Sequence, residues 1–179
     1  MLDKIMQFRV EHVRRMLEVV RGKVEMLQIA DDYGTQNGLM MSPPMWRDFF
    51  APHLKILADM AHSEGIRFFL HCCGSSREII PDLIELGIDI LNPIQPQAKG
   101  MNPGDLKAHF GSRLCFHGGI DTQKTLPYGT VNEVKDEVID RLTLFGREGG
   151  YILAPVHTVE PDVPLENVLA LSETVKNFN

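Results

Sequence analysis

Apolar residues recur at helical spacing from the start of the chain, through Ile5, Met6, Val13, Met16, Leu17 and Val20, and Gly22 follows as a stop. This predicts an amphipathic leading helix over residues 1–22. Beyond it, short runs rich in branched apolar residues alternate with longer segments of helical period. The strand-like runs are 24–30, 66–70, 88–91, 113–116 and 151–153. Between them, Ser42, Pro43 and Pro44 precede the apolar stripe Trp46, Phe49, Phe50, Leu54, Leu57 and Met60. One helix ending near Gly65 is predicted there. Pro81 should kink or restart the segment 77–86. Asn102 with Pro103 starts a short helix that Gly111 stops. Thr130 and Glu133 have capping-box spacing before Val134, Val138 and Leu142, and Pro164 with Glu166 opens the last helix.

Strands that alternate with helices imply a parallel sheet of right-handed crossover units, hence an α/β architecture. No compositional break marks a linker, so residues 1–179 are expected to form one domain. The composition is that of an ordinary globular chain, with 44% hydrophobic and 23% charged residues among 179. With 18 Lys and Arg against 24 Asp and Glu, the net charge of −6 offers no positive field for a nucleic-acid backbone. No stretch approaches the roughly 18 apolar residues of a membrane span, and the charged N-terminus is unlike a secretory signal. A cytoplasmic protein is expected, with no nucleic-acid or membrane partner. The three cysteines, Cys72, Cys73 and Cys115, imply no disulfide framework and suit free thiols or metal ligands.

Each predicted strand is followed by a polar, glycine-rich cluster: DDYGTQ, HCCGSS, NPIQPQ, HGGIDTQ and APVHTVEPD. Ligands of α/β folds bind at the carboxyl ends of the strands, so the five clusters are expected to face one site. The sharpest is His71-Cys72-Cys73-Gly74. If the extended backbone continues through it, His71 and Cys73 point one way and Cys72 the other. Imidazole and thiolate together suit zinc, with a third ligand and an open position in a catalytic site. The candidate third ligand is His157, just past the last strand. Cys115 is assigned to packing.

Asp32 and Asp121 stand at strand ends as candidate catalytic carboxylates, with Asp31 adjacent to the first. Gln95, His117 and Gln123 are candidate groups for binding a polar substrate. The histidines at 12, 53, 62 and 109 fall on predicted helices and are given no role.

Taken together, DDYGTQNGLMMSP, HCCGS, GIDILNPIQ, FHGGIDTQ, GGYILAP and DVPLENV resemble the uroporphyrinogen decarboxylase superfamily, from about Val24 to near the C-terminus. The resemblance implies a (β/α)8 barrel, in which five strands would match the C-terminal part. It also implies one of two activities, tetrapyrrole decarboxylation or zinc-dependent, cobalamin-linked methyl transfer. His71-x-Cys73-Gly74 is similar to the zinc motif of the methyltransferase branch, whereas the decarboxylases lack that pair. Where thiol methyltransferases place their third ligand, a cysteine, this chain has His157, and the decarboxylases also carry a histidine there.

The function implied is therefore a zinc-dependent, corrinoid-linked methyltransferase or demethylase. The alternatives are tetrapyrrole decarboxylation or a non-catalytic partial barrel. Zinc and a methyl-corrinoid are the cofactors implied. The expected partners are a small-molecule methyl donor or acceptor, a corrinoid protein, and either a separately encoded N-terminal barrel half or a second copy of the chain. In a flat sheet three strand steps would hold His71 and His157 roughly 14 Å apart, so a shared metal demands barrel curvature.

Overall fold

The computed structural model describes residues 1–146 and 148–178. In chain order the elements are α1 (Leu2–Val20), β1 (Met26–Ala30), β2 (Gly34–Thr35), β3 (Gly38–Leu39), α2 (Pro43–Phe49), α3 (Ala51–Ser63), β4 (Arg67–His71), a 3-10 turn (Arg77–Ile79), α4 (Ile80–Leu86) and β5 (Ile90–Ile94). There follow α5 (Pro103–Phe110), β6 (Cys115–Ile120), α6 (Thr125–Tyr128), α7 (Val131–Gly146), β7 (Tyr151–Pro155) and α8 (Leu165–Asn177). The five longer strands lie in the order β1-β4-β5-β6-β7, and the β1–β4 and β6–β7 pairs are parallel. The class is α/β, as expected of part of a (β/α)8 barrel. The chain packs as two compact units, Met1–Leu91 and Asn92–Asn179.

In the first unit α1 buries Met6, Val13 and Leu17, one stripe of its amphipathic pattern. Strand β1 alternates strictly, with Leu27 and Ile29 buried between exposed Met26, Gln28 and Ala30. It pairs with β4 in the register Leu27↔Phe68, Ile29↔Leu70 and Ala30↔His71. The segment expected as one helix from Ser42 to Gly65 is two. The Ser42 hydroxyl caps α2 by accepting the Met45 N–H. Pro52, in the first turn of α3, has no N–H to continue the ladder, so the axis is reset at Phe50. Pro81 acts in the same way at the start of α4, which ends on Gly87 at φ +94°. A short β2–β3 hairpin, closed by the turn residues Gln36 and Asn37, adds to the five strands expected.

Two contacts position the strand ends of this unit. At the entry to β4, one Asp89 carboxylate oxygen accepts the buried Phe68 N–H at 2.7 Å and lies 2.8 Å from His62 Nε2, and the other lies 3.3 Å from Arg67. Burial opposes ionisation of Asp89, but these bonds outweigh it and hold the carboxyl below its usual range. At the exit, the loop after β1 presses on the loop after β4. The Ser75 N–H donates to the Thr35 carbonyl at 2.8 Å, and a Cβ on Gly74, at φ +77°, would stand 2.7 Å from that oxygen. Only glycine fits there.

In the second unit β6 pairs with β7 in the register Phe116↔Tyr151 to Ile120↔Pro155. Helices α6, α7 and α8 close over Ile120, Leu126, Val134, Val138 and Ala170. The expected capping box forms, with the Thr130 N–H donating to Glu133 and the Glu133 N–H to the Thr130 hydroxyl. Buried Asn167 donates to the carbonyls of Leu126 and Gly129, tying α8 to the ends of α6. Strand β6 carries Gly118 and Gly119 just before its last residue, Ile120, both at positive φ. Their carbonyls accept hydrogen bonds from the Tyr151 hydroxyl and the Arg141 guanidinium.

Replacing Asp89 by Ala leaves the Phe68 N–H buried without its acceptor and should cost about 1–3 kcal/mol in urea unfolding at neutral pH. Because the folded-state pKa of Asp89 is depressed, this contribution is present above the unfolded value and is lost as pH falls through the folded one. The two proteins should converge in acid. Gly74→Ala should lower stability by roughly 2 kcal/mol or more by the same measurement, through strain and backbone overlap together.

Candidate metal centre

Cys72 is fully buried, and its Sγ accepts the Tyr33 N–H at 3.5 Å. Burial pushes this thiol up to about 12, so it serves as a small packed group. Its neighbours point to the other side, as the alternation of an extended chain requires. His71 and Cys73 are half-buried, and His71 Nε2 lies 3.3 Å from Cys73 Sγ. A tetrahedral zinc ion bound by a nitrogen at 2.0–2.1 Å and a sulfur at 2.3 Å separates those atoms by roughly 3.5 Å. The pair thus stands at the spacing a shared metal needs, and the donor chemistry fits zinc.

Asp32 joins them. The chain leaving β1 runs on beside the chain leaving β4, with the Asp31 N–H donating to the His71 carbonyl at 2.9 Å. The Asp31 side chain turns to Arg9, 2.6 Å away. Asp32 Oδ1 instead accepts the Cys73 N–H at 2.8 Å and lies 3.8 Å from His71 Nε2. Among the described residues, Asp32, His71 and Cys73 offer one donor atom each, all within 4.8 Å of one another. Burial, and then the adjacent Asp32 carboxylate, raise the Cys73 thiol above its ordinary value, so without a metal it keeps its proton at neutral pH.

The remaining sequence-predicted groups belong to the second unit. His157 is exposed, two residues past β7. Gln95 is buried at the end of β5, and Gln123 is exposed. Asp121 is buried just past β6, where its Oδ1 accepts the Gln123 N–H at 2.7 Å and its own N–H donates to Glu137. His117 Nδ1 lies 2.7 Å from the amide nitrogen of buried Asn92. The sequence places Asn92 only within the cluster NPIQPQ and gives it no role of its own, because the pairing of β5 with β6 creates the contact. His62 bonds to Asp89, 27 residues away, and His109 to the Asp105 carbonyl one helical turn back.

Compared with known proteins, residues 1–178 match the family model for uroporphyrinogen decarboxylase (URO-D). Over 154 residues the chain is 29% identical to the methylcobamide:CoM methyltransferase MtaA of Methanosarcina barkeri, a match that covers 86% of this chain and 42% of that protein. Over 168 residues it is 23% identical to the uroporphyrinogen decarboxylase of Coxiella burnetii, covering 89% and 42% respectively. A methyltransferase structure from Methanosarcina mazei superposes with a TM-score of 0.72 at 27% identity, covering 97% of this chain and 47% of the other. The chain therefore spans less than half the length of these relatives, and it belongs to the uroporphyrinogen decarboxylase family.

Proposed function

We propose that the chain is a zinc-dependent methyltransferase-type member of its family, acting between a methylated small molecule or methyl-corrinoid and an acceptor. The observation that carries this reading is the His71–Cys73 pair, with nitrogen and sulfur 3.3 Å apart at the end of β4. The similarity to a methylcobamide:CoM methyltransferase supports it. Zinc bound there would supply Lewis acidity, lowering the pKa of a thiol or polarising an ether oxygen.

The chain's own residues do the holding. Cys72, sealed beneath the loop, fixes the direction of its two neighbours, and Asp32 fixes the Cys73 backbone through its N–H. His157 remains the third ligand proposed from the sequence, to be tested by substitution. We assign Gln95, His117, Asp121 and Gln123 to polar ligand binding in the second unit. The same reading makes the protein cytoplasmic and pairs it with a corrinoid protein and with a further barrel segment or a second copy. Among the described residues no helix is long and apolar enough to cross a membrane.

A second reading, metal-free tetrapyrrole decarboxylation, is favoured by the likeness to the Coxiella burnetii enzyme. It predicts porphyrinogen turnover that chelators do not affect.

Metal analysis separates the two. The first reading predicts one zinc per chain, with binding weakened at least about 100-fold in Cys73→Ala and His71→Ala and reduced in His157→Ala. Because the Cys73 thiol must lose its proton to bind, the apparent affinity should climb by about tenfold per pH unit through the neutral range. Zinc binding that is flat with pH and unchanged in Cys73→Ala would defeat the assignment.

A further inference from the structure

We propose that the Asp32 carboxylate is itself a metal donor, so that the first unit presents a three-donor centre of Asp32, His71 and Cys73. The inference rests on the zinc reading above and extends it to a residue that the sequence places only as a catalytic carboxylate.

Three observations carry it. The first is convergence: one oxygen, one nitrogen and one sulfur donor from two separate loops lie within 4.8 Å of one another. In a tetrahedral zinc centre the oxygen and nitrogen donors stand roughly 3.4 Å apart. Asp32 Oδ1 and His71 Nε2 are 3.8 Å apart, so a few tenths of an ångström of side-chain movement closes the difference. The second is how Asp32 is held. The Ala30↔His71 register and the Asp31 N–H to His71 carbonyl bond fix the two backbones side by side. Gly34 and Gly74 let the following loops approach to distances at which a Cβ on Gly34 would stand 2.8 Å from the Cys73 carbonyl. Arg9 takes the neighbouring Asp31, so it is Asp32 that faces the pair. The third is charge. A neutral imidazole, a thiolate and a carboxylate together balance a divalent cation, whereas an imidazole and a thiolate alone leave one positive charge in a half-buried site.

The hydrogen bond from the Cys73 N–H to Asp32 is compatible with ligation, since a metal-bound carboxylate is commonly held by a second hydrogen bond. It also supplies the means to separate ligation from support. Asp32→Asn keeps an oxygen able to accept that N–H but loses the anionic donor. Asp32→Cys places a second thiolate in the same position.

The test is a zinc and cobalt(II) titration of the whole chain, followed by competition with a chelator and by optical spectroscopy. The expected result has two parts. Asp32→Asn should bind zinc at least about tenfold more weakly, with changed cobalt ligand-field bands and an unchanged far-ultraviolet circular dichroism spectrum. Asp32→Cys should retain the metal and intensify the sulfur-to-cobalt charge-transfer absorption. Wild-type affinity in Asp32→Asn, with no added sulfur absorption in Asp32→Cys, would overturn the assignment of Asp32 and leave the His71–Cys73 reading standing. Failure of the unsubstituted chain to bind either metal would overturn both.

Discussion

Burial of one thiol organises the end of β4. Cys72 is sealed from solvent with its sulfur on the Tyr33 N–H, and in an extended chain that commitment sends the residues on either side of it the opposite way. His71 and Cys73 therefore meet because the residue between them is part of the core. A different partner for Cys72, or a slip of one residue, would put the imidazole and the second thiol inside and the packing cysteine outside. The metal-binding pair and the local core are two consequences of the same alternation.

Parallel pairing brings the carboxylate. Once Ala30 is in register with His71, the residues just past each strand travel together, and the two aspartates after β1 divide according to facing. Asp31 is taken by Arg9 of α1 and Asp32 goes to the Cys73 backbone. Two glycines make this possible: Gly34 and Gly74 leave no room for a side chain where their loops cross. The second unit also uses glycine near a strand end, where Gly118 and Gly119 take positive φ within β6 and their carbonyls receive Tyr151 and Arg141.

Much of this can be read along the chain. The five strands, the leading helix and the capping signals at Asn102 and Thr130 follow from periodicity and turn chemistry, which are local. The alternate facing of the HCC stretch is local too. Partners are not. The sequence names Asp32 as a site carboxylate, but that it reaches the His71–Cys73 pair while Asp31 goes to Arg9 depends on strand register, and Asn92 meets His117, 25 residues away, only because β5 and β6 come together. The division of α2 from α3 escaped because the apolar stripe continues smoothly across Phe50, while the feature that breaks the ladder, Pro52, sits within it. The β2–β3 hairpin is only two residues on each side, too short for alternation to register.

The central claim is that an imidazole and a thiolate from one strand end share a metal, and the coordination shell itself tests it most directly. X-ray absorption at the zinc edge of the metal-loaded chain should show one sulfur at about 2.3 Å with the remaining nitrogen and oxygen donors near 2.0–2.1 Å. A shell of nitrogen and oxygen alone, without that sulfur, would contradict the account.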